Sequence, residues 1–379
     1  MYSNAGWPIR NKMCSSPNRS EFQPETQWLL GPILGIESSC DETAAAVLSC
    51  EGAVLSNVVS SQVAVHEKFG GVVPELAARA HLGKIDVVVK EALATAQVSK
   101  QTLGAVAVTQ GPGLAGALLV GVNYAKALSY GLGIPIIGVN HLQGHIASAW
   151  LADPMFPLSC IVLVVSGGHT HLYHHEVGGR CLLLGRTRDD AAGEAFDKGA
   201  QMLGLGYPGG PAVDRIARSG DSQAIRFPRF HRTTHSLEFS FSGLKTALLY
   251  KLREMDGPLR SHQTADLAAG YQEAIVQVLA TKAFAALKQS NLAALAVVGG
   301  VSANSRLRTV LSERAAREGI RLALPPIEYC TDNAAMIASA GRQLLMNGER
   351  PHSRLDISPA ERCVRIHEEN HAPNSSFKG

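Results

Sequence analysis

The chain of 379 residues lacks paired cysteines: its seven are scattered at Cys14, Cys40, Cys50, Cys160, Cys181, Cys330 and Cys363, with no CxxC spacing. This excludes a disulfide framework and a zinc ribbon, and points to a reducing, intracellular setting. It also lacks a dominant charge. Thirty-five Lys and Arg face 32 Asp and Glu, for a net charge of +3. No chain-wide footprint for nucleic acid follows, so an RNA partner needs a local patch. A membrane span is missing too, because the longest apolar stretch, AGALLVGVNYAKALSYGLGIPIIGV, is broken by Asn123, Lys126 and several glycines. The first twenty residues contain no acid and carry Arg10, Lys12 and Arg19, which resembles a transit peptide. They show no amphipathic period, however, and Pro8 and Pro17 interrupt them. Residues 1–32 are therefore expected to form a disordered tail, and residues 351–379 a polar one.

What is present is 46% hydrophobic residues arranged in alternating strand-like and helix-like segments. ILGIESSC and DETAAAVLSC read as two strands joined by a polar turn. IDVVVKEALATAQV reads as a helix, AVAVTQGPG as a strand entering a glycine turn, LAGALLVGVNYAKALSYGLG as a helix and IPIIGVN as a strand. This β-β-α-β-α-β rhythm restarts with CIVLVVSGGHTHLYHHEVGG and continues through AALAVVGGVSANSRLRTVLSERAAREGIRLALPP. Two lobes that each open with a hairpin, residues 33–150 and 151–350, indicate an internal duplication. The expected architecture is an actin-like α/β fold, with a duplicated mixed sheet flanked by helices and a phosphate ligand held between the two hairpin turns.

Several groups of residues carry possible chemistry. In NHLQGHI, His141 and His145 sit one helical turn apart and project from one face, either as metal ligands or as two histidines sharing a helix. Two imidazoles do not complete a site. Asp332 in CTDNAAMIA, read as a helix cap, is the third candidate, and a His₂Asp set with open positions suits a metal that holds a substrate. Leu142 stands where a HExxH metalloprotease carries its glutamate, so that chemistry lacks its base. FSGLK has an SxxK spacing without the accompanying SDN and KTG motifs, and is read as chance. The glycine pairs of SGGHT and GGVSAN follow apolar strands, where a backbone free of Cβ can approach a phosphate; ordinary tight turns are the alternative. YPGGP adds a third pair. In GEAFDKG, Asp197 either complements a helix dipole or accepts from a ligand hydroxyl. Asp41 and Glu42, at the bend of the first hairpin, are turn residues or catalytic groups aimed at the cleft.

Taken together, GIESSCDETAAAV, HEKFGGVVPELAARAHL, GPGLAGALLVG, NHLQGHI, LVVSGGHTHL, GEAFDKGAQMLGLGYPGGP, FSFSGLKTA, GGVSANSRLR and CTDNAAMIA resemble, in order from Ile33 to Leu345, the TsaD family of tRNA N6-adenosine threonylcarbamoyltransferases, in its bacterial branch. The resemblance implies metal ligands at His141, His145 and Asp332, holding one Fe²⁺, with Zn²⁺ as the alternative. It implies substrate contacts at Val164, Val165, Ser166, Gly167, Gly168, Asp197, Gly210, Asp214 and Asn304. The donor would be threonylcarbamoyl-AMP, and the acceptor N6 of adenosine 37 in the anticodon loop of tRNAs reading codons that begin with A. A TsaB-like actin-fold partner, a TsaE-like ATPase and a cytoplasmic location are implied as well. The rival readings are an ATP-dependent small-molecule kinase on the same fold and the metallopeptidase of the family's former name.

Overall fold

The computed structural model describes residues 31–228, 236–255, 259–349 and 355–360, so the expected N-terminal tail up to residue 30 and the end from residue 361 lie outside the described residues. Two five-stranded mixed sheets form the frame. The first contains β1 (Ile33–Glu37), β2 (Glu42–Leu48), β3 (Val54–Ser61), β4 (Ala105–Gly111) and β5 (Ile136–Asn140), in the order β3-β2-β1-β4-β5. The second contains β6 (Cys160–Val165), β7 (Thr170–His175), β8 (Cys181–Arg186), β9 (Ala294–Val298) and β10 (Arg321–Ala323), in the order β8-β7-β6-β9-β10. In each sheet the first three strands pair antiparallel, the fourth joins the first in parallel and the fifth joins the fourth in parallel. The duplication is therefore one of topology. Each lobe opens with three strands where the sequence reading placed two. The missed β3 and β8 lie at the sheet edges, where mixed exposure blurs the alternation that marks a half-buried strand.

Side-chain alternation along the central strands decides which helices cover which face. On β6, Ile161, Leu163 and Val165 join the core beneath α5 (Ala192–Met202), α6 (Gly209–Ala217), α7 (Ser242–Arg253), α8 (Ser261–Ser290) and α9 (Ser305–Glu318). Cys160, Val162 and Val164 face the other way, toward Leu142, Ile146 and Trp150 of α4 (His141–Ala152). In the first sheet, Leu34, Ile36, Val106 and Val108 pack under α2 (Pro74–Ala96) and α3 (Ala115–Leu132). Its opposite face is covered by α10 (Ala334–Met346).

α10 changes the expected division at residue 150. Ala334, Ala335, Met336, Ile337, Ala338 and Ala340 are all at most 3% exposed, so the first two turns of the helix are buried all round and need cover on every side. The helix finds that cover between the first sheet and α4, and so belongs to the first lobe rather than to 151–350. Part of the expected polar tail, from Leu355, is packed against the first lobe. Leu355 is 2% exposed in the core beside α2 and α3, and Ser358 N donates to Gln110 O at 2.6 Å. Residues 351–354 lie outside the described residues. No disulfide joins the five described cysteines, and no described helix is long and apolar enough to cross a membrane.

Two glycines set how closely α10 approaches the sheet. A Cβ on Gly35 of β1 would lie 2.3 Å from Ala334 O, and one on Gly341 would lie 2.4 Å from Ala107 Cβ. Gly35→Ala is expected to push the start of α10 away from the sheet and to destabilise the fold by about 1–3 kcal/mol, the usual range for overpacking. An unchanged urea midpoint would contradict this close approach.

Candidate metal centre and cleft

α4 begins abruptly at the first histidine because Asn140 caps it, its Oδ1 accepting from Leu142 N at 2.9 Å and Gln143 N at 3.3 Å. His141 and His145 then lie one turn apart, their ring centroids 4.7 Å from each other and their planes at 79°. Asp332 reaches them from the loop before α10. Contrary to the sequence reading, it is not the helix cap: Asn333 takes that place, accepting from Met336 N at 3.0 Å. The carboxylate of Asp332 is thereby free to face the histidines. Its Oδ1 lies 3.5 Å from His141 Nε2 and 3.1 Å from His145 Nε2. One ligand atom from each of the three residues falls within 4.8 Å of the others.

The residues fit a divalent cation. Neither ring nitrogen of the fully buried His145 has a conventional hydrogen-bond partner, and Asp332 Oδ1 lies 3.1 Å from its Nε2 as an ion-pair contact. Buried polar atoms are normally satisfied, so an unpartnered imidazole beside a carboxylate marks a ligand position. Two imidazoles and one carboxylate with open positions form the set typical of non-haem Fe(II), and Zn²⁺ accepts the same donors.

A group absent from the sequence reading orients this centre. Glu37 ends β1 and is completely buried. Its Oε2 accepts from His141 Nδ1 at 3.1 Å and from Thr109 Oγ1 at 2.7 Å, while Oε1 accepts from Ser39 N at 2.5 Å. When His141 is neutral, as a metal ligand must be, the ionised Glu37 keeps its proton on Nδ1 and turns the Nε2 lone pair to the centre, the carboxylate–histidine arrangement that supports many metal ligands. Burial alone would raise the Glu37 carboxyl, but His141 outweighs it and holds it low. Burial opposes charge on His141, yet Asp332 and Glu37 push its pKa up to about 9. Asp332 is held well below the carboxylate range, burial being overcome by His141 and His145. One signal for Glu37 was available in ILGIE: a carboxylate closing an otherwise apolar strand.

The other predicted residues divide into two groups. Those at the cleft include Glu42, whose carboxyl is pushed up to about 9 by burial and then by Asp332 and Asp41, so at neutral pH it is a proton donor. Burial raises Asp197, with the charge of Asp41 adding to the effect, and burial raises Tyr207, with both acids adding to it. Asp197 also caps α6, its Oδ1 accepting from Gly209 N at 2.8 Å. Gly167, Gly168 and Gly210 have open space where a side chain would begin. Ser166 shapes its turn, its O accepting from Gly193 N at 3.2 Å. His169 is pushed down to about 3 by burial, with His171, His141 and His145 adding to the effect.

The second group is already engaged inside the second lobe. Val164 and Val165 are fully buried, leaving only backbone to offer. Asp214 accepts from Ser305 Oγ at 2.7 Å and from Arg218 Nη2 at 3.0 Å. Asn304 caps α9, accepting from Leu307 N at 2.9 Å, and donates to Gln272 Oε1 at 2.7 Å. The turns that carry them nonetheless abut: a Cβ on Gly299, whose φ is +92°, would lie 2.4 Å from Val165 O.

Replacing Glu37 by Gln keeps the shape but removes the charge that orients His141. Metal affinity is expected to fall 10- to 100-fold, as it does when an outer partner of a ligand is lost, with the three ligands intact. Titration against a competing chelator measures this, and equal affinity in both proteins would show that Glu37 only fills space.

The family model for tRNA N6-adenosine threonylcarbamoyltransferase (TsaD) matches residues 53–339. A protein of that name from Anaeromyxobacter dehalogenans (strain 2CP-C) is 54% identical over 333 residues, 87% of this chain and 99% of the relative. One from Thermosipho africanus is 48% identical over 86% of this chain and 98% of the relative. Among solved structures, HypF from T. kodakarensis superposes with a TM-score of 0.57 at 14% identity, covering 84% of this chain and 48% of that one. Full-length HypF in a phosphate- and nucleotide-bound form gives 0.55 at 12% identity, over 83% and 46%. These two show the actin-like fold alone. With curated relatives matched over nearly their whole length, the chain belongs to the tRNA N6-adenosine threonylcarbamoyltransferases and is an acyltransferase that forms threonylcarbamoyladenosine in tRNA.

Proposed function

We propose that the cleft holds threonylcarbamoyl-AMP between the two hairpin turns and delivers its acyl group to N6 of adenosine 37, with His141, His145 and Asp332 holding one Fe²⁺, or Zn²⁺ in its place. The observation that carries this reading is the buried His145, unpartnered at both nitrogens, beside Asp332 and an oriented His141. When bound there, such an ion supplies Lewis-acid polarisation of a carbonyl oxygen.

The chain's own residues supply position. The N6 amine is a weak nucleophile because its lone pair is delocalised into the purine, so orienting it against the carbamoyl carbon is the principal requirement. The new N6–C bond forms as the bond from that carbon to the phosphate oxygen breaks. AMP departs with the electron pair, and N6 gives up one proton. The exposed backbone of Gly167 and Gly168 is free to approach the phosphate of the leaving group. Asp197, half-buried, is placed to accept from a ribose hydroxyl, and Gly210 is the second residue of the helix that it caps. Asp41 and Glu42 face the same space, Glu42 with a proton to donate. Asp214 and Asn304 act here through the shape of the α9 turn that they hold. A loop nucleotide is the form in which RNA bases become accessible. A TsaB-like partner and a TsaE-like ATPase complete the reading, with the reaction in the cytoplasm.

His145→Ala is expected to lose the metal, measured by elemental analysis, and transfer activity with it, while binding AMP almost as wild type does. AMP has no carbamoyl group to present to the centre. Asp197→Ala should show the reverse: unchanged metal, and AMP affinity reduced by about 1–3 kcal/mol, the cost of removing one partner of a buried polar contact. Calorimetry with AMP on the same samples tests both, and metal retained in His145→Ala would refute the proposed ligand set.

Asn304→Ala removes a helix cap and should lower stability by about 1 kcal/mol in chemical denaturation, besides weakening AMP binding through its turn. If neither changes, Asn304 has no part in the site.

A further inference from the structure

Beside the SGGHT turn, on the side away from GGVSAN, a cavity of ≈ 430 Å³ opens between β7 and the chain leaving β8. One wall is Gly168, His169 and His171; the other is Arg186, Thr187 and Arg188, with Glu238 at the rim. No aliphatic or phenyl side chain lines it, so it suits a polar ligand and not an apolar one.

The charge of this cavity is set by three ionic groups. Arg188 is engaged by Glu238 in an ion pair. The nearby acid Asp189 is turned to Ser240 Oγ and to Ser242, whose N donates to it at 3.2 Å. Arg186, across the strand pair from His171, has no ion pair or side-chain hydrogen bond among the described residues. The cavity therefore presents one uncompensated guanidinium. Both arginines stand on fixed backbone: Arg186 O accepts from Phe239 N at 3.0 Å, and Arg188 N donates to Phe239 O at 3.1 Å. His169 and His171 are pushed down to about 3 and about 4, chiefly by burial, so they are neutral at physiological pH. Gly168 and His169, which line this cavity, belong to the SGGHT turn, so the cavity adjoins the cleft that this turn borders.

We infer that the Arg186 cavity binds a backbone phosphate of the RNA strand next to the acceptor nucleoside, and so holds the splayed loop in register with the cleft. This rests on the reading of the cleft as the site of transfer to RNA. A guanidinium on rigid backbone is suited to a phosphate oxygen. The chain as a whole carries only +3, so a local contact of this kind matters more to RNA binding than the overall field.

The test uses the full chain, together with its actin-fold partner, and a labelled anticodon stem-loop. Arg186→Gln is expected to weaken binding five- to tenfold, whatever the loop sequence. It should also flatten the plot of log K against log salt by about 0.7, the contribution of one single-strand phosphate contact. Metal content and AMP affinity should not change, which separates this effect from damage to the cleft, and Arg186→Lys should restore part of the binding. A methylphosphonate at one phosphate flanking the target adenosine should cause the same loss in wild type and no further loss in Arg186→Gln. Unchanged affinity in the variant overturns the proposal and leaves the reading of the cleft intact. If the methylphosphonates add their full effect in the variant while its affinity for inorganic phosphate falls, the cavity takes free phosphate and the proposal also fails. If the wild-type protein does not bind the stem-loop at all, the reading on which the proposal rests fails with it.

Discussion

The cleft rests on a line of alternating charge that the interior would otherwise reject. Glu37, His141 and Asp332 follow one another as acid, base and acid, with distances of 3.1 Å and 3.5 Å between them, and Glu37 has no exposure at all. Moving a carboxylate out of water costs several kcal/mol, and only an opposite charge together with satisfied lone pairs offsets it. Here Thr109 and the backbone of Ser39 fill the remaining positions on Glu37. The same arrangement fixes which nitrogen of His141 points at Asp332. Removing any member leaves a buried charge without its partner, so the geometry of the centre and the stability around it are joined.

Two further constraints bring these groups to one place. The first is that the opening two turns of α10, from Ala334 to Ala340, are built of mostly small, buried residues with no face to give to solvent. The helix packs between the first sheet and α4, and the loop at its start brings Asp332 beside the histidines. The second is the repeated sheet. Glu37 ends β1, the histidine helix follows β5, Ser166 follows β6 and Gly299 follows β9. Each of these strands runs parallel to a neighbour, and the groups lie at their carboxyl ends, where the loops of an open α/β sheet form a crevice. The two lobes therefore share a plan but supply different parts. The first provides the charged centre, and the second the glycine turns and Asp197.

Local pattern was a sound guide wherever burial is one-sided or the backbone is unusual. The continuous apolar run in CIVLVV, the spacing of His141 and His145 on a helix, and the glycines at the ends of apolar strands were all legible, because each reflects forces acting within a few residues. Edge strands were less so. In VLSNVVSS the exposure is irregular, and CLLLGR is mostly half-buried, which gives neither the alternation nor the continuous apolar run that identifies a strand.

The sequence by itself determined the two-lobed α/β plan, the histidine pair and the small set of acids and glycines from which a site had to be drawn. Tertiary structure decided which of them are available. Asn333 took the capping role and released Asp332, whereas Asp214 and Asn304, equally polar in the sequence, became bound to Ser305, Gln272 and the start of α9. Glu37 became the support of His141 only because β1 and the start of α4 meet in the fold. The physical reason is that helix and strand periodicity record whether a side chain is buried. Which polar groups then share a buried space depends on the return of distant segments, and on whose hydrogen bonds are satisfied first.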